Sequence, residues 1–205
     1  MKDALEFDRD YASEQLRRAG HPLRRMIKRF YVANILREVR GPTIDFGCGA
    51  GQLLRRLPPG SIGLEVNPWL VDHLTKEGLA VALYDASVDD FGFHQIPAGH
   101  YETLVLAHVL EHFPDAAQIQ RKLLRSCRRL GIGRVIVVVP GGKGYRSDKT
   151  HKTFVTRRYV RERQLENCEG YSLTGSRYFP LNVEAVGNVF TFHELVLIFD
   201  IAPDQ

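Results

Sequence analysis

A chain of 205 residues, 44% hydrophobic and 25% charged, is long enough to bury one good core and too short for two large ones, so one α/β unit is expected. No apolar run approaches the ~20 residues that span a bilayer, and the segment MKDALEFDRDYASEQLRRAG lacks the apolar stretch of a secretory signal, so a cytoplasmic protein without a membrane span is predicted. The net charge is a modest +4, and the three cysteines, Cys48, Cys127 and Cys168, are odd in number and scattered, which points to reduced thiols rather than a disulfide framework or structural zinc site.

Taken in chain order, HPLRRMIKRFYVANILREVR places Leu23, Met26, Ile27, Phe30, Tyr31 and Asn34 at helical spacing, with Arg24, Arg25, Lys28 and Arg29 largely on the other side. This predicts an amphipathic helix ended at Gly41-Pro42, its apolar stripe packed on the sheet that follows. Five short apolar runs then read as strands: Thr43 to Phe46, Ser61 to Val66, Ala80 to Asp85, Glu102 to Val109 and Arg134 to Pro140. Helices are expected over Gln52 to Leu57, Pro68 to Glu77, Asp115 to Leu130 and Thr156 to Asn167. Strands separated by helices pair in parallel through right-handed crossovers and are buried on both faces, which accounts for their Val, Ile and Leu content. Two final strand-like runs, Tyr171 to Phe179 and Phe192 to Ile201, have no convincing helix between them and should pair antiparallel.

The chemistry gathers where these strands end. In TIDFGCGAGQLLRRL an apolar strand finishes at Asp45, passes Gly47, Gly49 and Gly51, and opens into the next expected helix at Gln52. Glycines remove side chains where a ligand must approach the backbone, and free N–H groups at a helix start favour an anion. A tight connection without ligand is the competing reading of such a turn alone. The dinucleotide spacing G-x-G-x-x-G does not fit, since its third glycine would fall at Gln52 or Leu54.

What fits is D-x-G-x-G-x-G, and here the chain resembles the class I S-adenosylmethionine-dependent methyltransferases. That resemblance implies a doubly wound, mostly parallel seven-stranded sheet with a C-terminal antiparallel strand pair, and S-adenosylmethionine as cofactor. Glu65 and Asp85, each ending a later strand, match the family's ribose and adenine contacts. The implied cofactor-binding set is Asp45, Phe46, Gly47, Cys48, Gly49, Gly51, Glu65, Val66, Asp85, Ala86 and His108. The span 42–140 would form the cofactor-binding core, 1–41 a helical segment and 141–205 a substrate-side loop with the hairpin, all in one domain.

The fourth strand ends in AHVLEHFPDA, so the resemblance puts His108, Glu111 and His112 near the pocket. His108 and His112 are spaced i, i+4, but H-E-x-x-H is absent and no metal is expected. After the fifth strand, DKTHKTF is similar to a D-x-T-H-x-x-x-F stretch of some small methyltransferases, with the aromatic one place early. His151 is the first choice for a general base, because an imidazole accepts a proton near neutral pH. His108, Glu111 and Tyr145 complete the catalytic candidates, and Asn182, Asn188, Phe190 and His193 are candidates for the acceptor side. Trp69 is a candidate to flank the adenine, though packing is the plainer reading.

Between Arg121 and Arg163 fourteen Lys and Arg stand against two acids, a balance of +12 that leaves −8 for the rest. The block fits either a phosphate-bearing partner or the solvated face of ordinary helices. The expected activity is methyl transfer to oxygen or nitrogen of a small-molecule acceptor, anionic if the basic block faces it. A nucleic-acid (RNA) methyltransferase and a non-catalytic cofactor-binding module acting through a protein partner are the alternatives. The N-P-P-[YFW] motif of base-amine methylation is missing, HVLEHF standing in its place.

Overall fold

The structure, a computed structural model, describes residues 9–20 and 22–202. The expectation drawn from the first eight residues, and the side chains of Leu23, Arg24 and Arg25, lie outside what is described. Among the described residues no helix is long and apolar enough to cross a membrane.

One eight-stranded sheet organises the chain, in the order β3-β2-β1-β4-β5-β8-β7-β6. Strands β1 (Thr43–Phe46), β2 (Ile62–Glu65), β3 (Val81–Leu83), β4 (Thr103–Ala107) and β5 (Arg134–Pro140) are parallel. Strand β8 (Glu194–Ile201) runs antiparallel between β5 and β7 (Tyr171–Phe179), as the hairpin reading expects. The count differs from the predicted seven by β6 (Asn167–Cys168), two residues paired antiparallel to β7. It occupies the end of the expected helix Thr156 to Asn167, which stops early as α7 (Arg157–Glu162).

Alternation along each strand divides the core. On β5, Val135, Val137 and Val139 face one layer with Leu104, Leu106, Leu195, Leu197 and Phe199, while Ile136 and Val138 face the other with Val105, Val196 and Ile198. The first layer receives α5 (Ala116–Leu130) through Leu123, Leu124, Cys127 and Leu130. Asp115 caps α5 by accepting from the Gln118 N–H at 3.0 Å, and Gly131, at φ 77°, ends it. The second layer receives α2 (Pro22–Leu36), which follows α1 (Arg9–Gly20), a helix that the sequence reading did not resolve.

The helix α2 exists as expected, but its buried face differs. Tyr31, Val32, Asn34 and Ile35 are buried, whereas Met26 and Phe30 are 54% and 65% exposed. Of its described side chains, Val32, Ile35 and Leu36 join the second layer of the sheet. The helix expected over Gln52 to Leu57 is reduced to a 3₁₀ turn, Leu54–Arg56. Left-handed Gly49 and Gly51 delay its start, and Pro58 forces Leu57 into an extended conformation (ψ 157°), leaving room for about one turn.

At the far end of the strands, Arg134 donates to both carboxylate oxygens of Asp200, at 2.7 and 2.8 Å. This fork joins β5 to the antiparallel β8 and holds the Asp200 carboxyl below the usual range.

Candidate functional site

All the parallel strands end on one edge, and the strand order reverses between β1 and β4, the place where open α/β sheets bind ligands. The turn after β1 is built from left-handed glycines, Gly47 at φ 71°, Gly49 at 53° and Gly51 at 69°. The N–H groups of Gly47 and Cys48 both donate to the Leu64 carbonyl, at 2.8 and 3.2 Å, so the turn is strapped to β2. A Cβ on Gly47 would stand 2.8 Å from Val109, and one on Gly51 would stand 2.7 Å from Leu74. A Cβ on Gly49 would meet nothing within 4 Å. The first and third glycines therefore serve packing, and the middle one faces open space.

Glu65 comes to the same turn. One of its oxygens accepts from the Gly49 N–H at 2.8 Å and the other from the Asn67 N–H at 2.9 Å. Each oxygen keeps lone-pair capacity for a further donor, so a diol can still be received. Burial pushes the Glu65 pKa up, and these backbone donors oppose it. Asp45 is nearly buried and its Oδ2 has no hydrogen-bond partner. Burial, with Glu65 nearby, raises its pKa to about 7. An open backbone bend beside a buried carboxylate oxygen in need of a donor fits a ligand bearing an amino group. Burial likewise raises the Cys48 thiol far above its ordinary value, which removes it as a nucleophile.

The remaining expected cofactor contacts divide. Phe46 turns its ring into an aromatic cluster with Tyr84, Phe91 and Phe93, leaving only its backbone to meet a ligand. Val66 is half-buried. Asp85 caps the short helix α4 (Ala86–Asp89), accepting from the N–H and hydroxyl of Ser87 at 2.8 and 2.6 Å, and is exposed. Trp69 is half exposed, with the Arg9 guanidinium 5.4 Å from its ring centroid, so core packing is not its role.

The catalytic candidates converge at the end of β4. His108, in the left-handed region at φ 60°, places Nε2 2.8 Å from Glu194 Oε1 and Nδ1 3.2 Å from Glu111 Oε1. Burial alone would lower its pKa, but the two carboxylates outweigh it and hold it at about 9. The raised pKa favours the imidazolium form over the free base at neutral pH. Glu194, at the start of β8, has no sequence signal; only the antiparallel pairing of β5 with β8 brings it here.

Glu111 is fully buried and neither of its carboxylate oxygens has a hydrogen-bond partner. The loop after β5 wraps around it. The N–H groups of Lys152 and Thr153 donate to the Glu111 carbonyl, and the Thr153 hydroxyl donates to the Phe113 and Pro114 carbonyls. His151 Nε2 is thereby held 3.9 Å from Glu111 Oε1, with Nδ1 2.8 Å from the Tyr145 carbonyl. Tyr145, on α6 (Gly142–Arg146) where a loop was expected, stacks on the His151 ring. Ring centroids of His112 and His151 are 4.9 Å apart, and burial lowers the His112 pKa.

The acceptor-side candidates all lie in the segment between β7 and β8. Asn182 Oδ1 accepts from Arg157 and from the Tyr178 N–H. His193 is fully buried, stacked on Tyr178 with Nε2 2.9 Å from the Leu181 carbonyl. Asn188 packs against Gly142, and Phe190 is exposed. Much of the basic block is also engaged locally: Arg121 with the carbonyls of Arg163 and Gln164, Lys122 with Asp90, Arg125 with Glu169, Arg157 with Ser176, and Arg158 with Glu162.

Solved structures of low sequence identity share this fold. A SAM-dependent methyltransferase from Archaeoglobus fulgidus superposes with TM-score 0.64 at 17% identity, over 94% of this chain and 100% of that one. Magnesium protoporphyrin IX methyltransferase from Synechocystis, solved with bound SAH, gives 0.67 at 14% identity, over 98% and 100%. The small RNA methyltransferase HEN1 gives 0.56 at 20% identity, covering 88% of this chain and 25% of that one. No curated protein matches the sequence. The methyltransferase domain family matches residues 11–168, most of the chain, and together with the shared fold this places the protein: it belongs to the methyltransferase domain family.

Proposed function

We propose that the protein is a methyltransferase that holds S-adenosylmethionine over Gly49 and passes its methyl group to an oxygen or nitrogen of a small-molecule acceptor lodged beside the end of β4. The observation that carries this reading is the shared strand edge: the open glycine bend, the unpartnered Asp45 oxygen, the pinned Glu65 and the Glu111–His151 cluster stand together there. The amino-acid end of the cofactor would meet Asp45 and the Gly49 backbone, and the ribose would meet Glu65. The solved neighbours named as SAM-dependent methyltransferase and as an enzyme with bound SAH support this choice of cofactor.

The chemistry asks mainly for alignment. An acceptor lone pair forms the new bond to the methyl carbon while the carbon–sulfur pair returns to sulfur, giving the thioether product; an acceptor proton leaves to a base or to water. His108, whose carboxylate partners favour its imidazolium form, acts here as a positioning residue rather than as the proton acceptor. Its pairing with Glu194 and Glu111 orients the wall of the acceptor pocket instead. Incubation with S-adenosylmethionine and a small-molecule extract tests the reading. It predicts S-adenosylhomocysteine accumulating with fractions below about a kilodalton, and no accumulation with any fraction would reject it.

An RNA acceptor is the second reading, favoured by the likeness to a small RNA methyltransferase. The local engagement of the basic block weighs against it. Measurable RNA affinity that falls steeply with salt would restore it.

A further inference from the structure

We propose that Glu111, His112 and His151 form a site for a divalent transition-metal cation, one of whose open coordination positions takes the acceptor oxygen. The role assigned to the acceptor rests on the function proposed above; the cation site does not.

Glu111, His112 and His151 each bring a ligand-capable atom within 4.8 Å of the others. Taken singly, such a cluster is common. Two further features make it a cation site. First, Glu111 is fully buried and both its carboxylate oxygens lack a hydrogen-bond partner, although buried carboxylates are ordinarily satisfied. Its one close partner is His108, whose Nδ1 lies 3.2 Å from Oε1 as an ion pair.

Second, both histidines are pre-set to offer a lone pair. His151 Nδ1 sits 2.8 Å from the Tyr145 carbonyl, which can only accept, so Nδ1 carries the proton and Nε2 is bare. The Thr150 hydroxyl donates to Asp148 Oδ1 at 2.7 Å, so its oxygen can only accept from His112 Nδ1 at 3.0 Å. His112 is thus also protonated on Nδ1, with Nε2 free. Metal-bound imidazoles are held in this way, with the far ring nitrogen donating to a carbonyl or to a hydroxyl–carboxylate relay. The relay also assigns the DKTH string its part: Asp148 and Thr150 orient one ligand, and His151 is another.

Two imidazoles and a carboxylate suit zinc, manganese, iron or cobalt, and three protein ligands leave positions open for a substrate oxygen. A hydroxyl bound there would lose its proton to water more readily, since cationic charge stabilises the oxyanion. Val109, packed over Gly47, connects the cluster to the proposed cofactor bend two residues away. The sequence reading expected no metal because it weighed His108 against His112; His151 arrives from a separate loop, and His108 is committed to Glu194.

The test is calorimetric titration of CoCl2 into tag-free, chelator-stripped protein. One equivalent should bind with a dissociation constant at or below the micromolar range, and Glu111→Gln and His151→Asn should each weaken it at least tenfold. Thr150→Val, a change at an exposed position, removes the acceptor behind His112 together with its bond to Asp148 and should weaken binding by about tenfold. Absence of a one-equivalent event, or unchanged affinity in Thr150→Val and His151→Asn, overturns the site. Turnover undiminished by EDTA overturns its part in the reaction. A parallel titration with S-adenosylmethionine separates the two proposals: cobalt binding without cofactor binding sinks the function and leaves the site standing, and the converse sinks the site.

Discussion

At the scale of single residues, three glycines at alternate positions do different work, which spacing could not distinguish. Gly47 and Gly51 are required by Val109 and Leu74, whereas Gly49 opens on free space at φ 53°. Gly49→Val should therefore weaken S-adenosylmethionine binding more than tenfold by filling that space and straining the left-handed backbone, with a smaller loss of stability. Calorimetry and thermal denaturation separate the two effects. Asp45 makes a pH prediction. Its folded pKa is raised to about 7, above the unfolded carboxylate value, so the neutral form favours the fold. The contribution is full below the unfolded pKa and is lost as pH rises through about 7; Asp45→Asn should flatten that decline in melting temperature. If the cofactor's ammonium pairs with the ionised carboxylate, binding releases a proton, and affinity should rise by about tenfold from pH 6 to pH 8 in the wild type alone. A pH-independent affinity would contradict that pairing.

At the scale of elements, the sequence was legible wherever one signal dominated. Asp115 and Gly131 bracket α5, and Asn67-Pro68 starts α3 (Pro68–Lys76), with Asn67 accepting from the Trp69 and Leu70 N–H groups; both helices fall where expected. Failure came where tertiary context overrides local pattern. The periodicity puts Leu23, Met26, Ile27, Phe30, Tyr31 and Asn34 on one stripe of α2; Tyr31 and Asn34 are buried as that predicts, but Met26 and Phe30 are exposed, and Val32 and Ile35 reach the sheet beneath. Ile35→Ala should thus cost about 2–5 kcal/mol, while Phe30→Ala should stay within about 0.5 kcal/mol; chemical denaturation measures both, and equal losses would return the stripe to the core. The 3₁₀ turn at Leu54–Arg56 was missed because two left-handed glycines and Pro58 act from its two ends at once.

At the scale of the whole molecule, topology makes the site. Residues 45, 65, 108 and 111 were legible as strand-end residues because parallel crossovers return each strand in the same direction. The Glu194 partner of His108 was not, since it depends on β8 running backwards beside β5. Nor was the convergence of His151 with Glu111, which follows from the loop after β5 folding back onto the end of β4. The same sheet leaves α2 over the second layer, where Tyr31 donates to the Phe192 carbonyl and closes the region near Glu194. The central claim is that this edge of the sheet receives the methyl donor, with Glu65 gripping both the bend and the ribose. Calorimetric titration of S-adenosylmethionine into the wild type and Glu65→Gln addresses it most directly: one equivalent should bind to the wild type and at least tenfold more weakly to the variant. An absence of binding to folded wild-type protein, or equal affinity in both, would contradict the account.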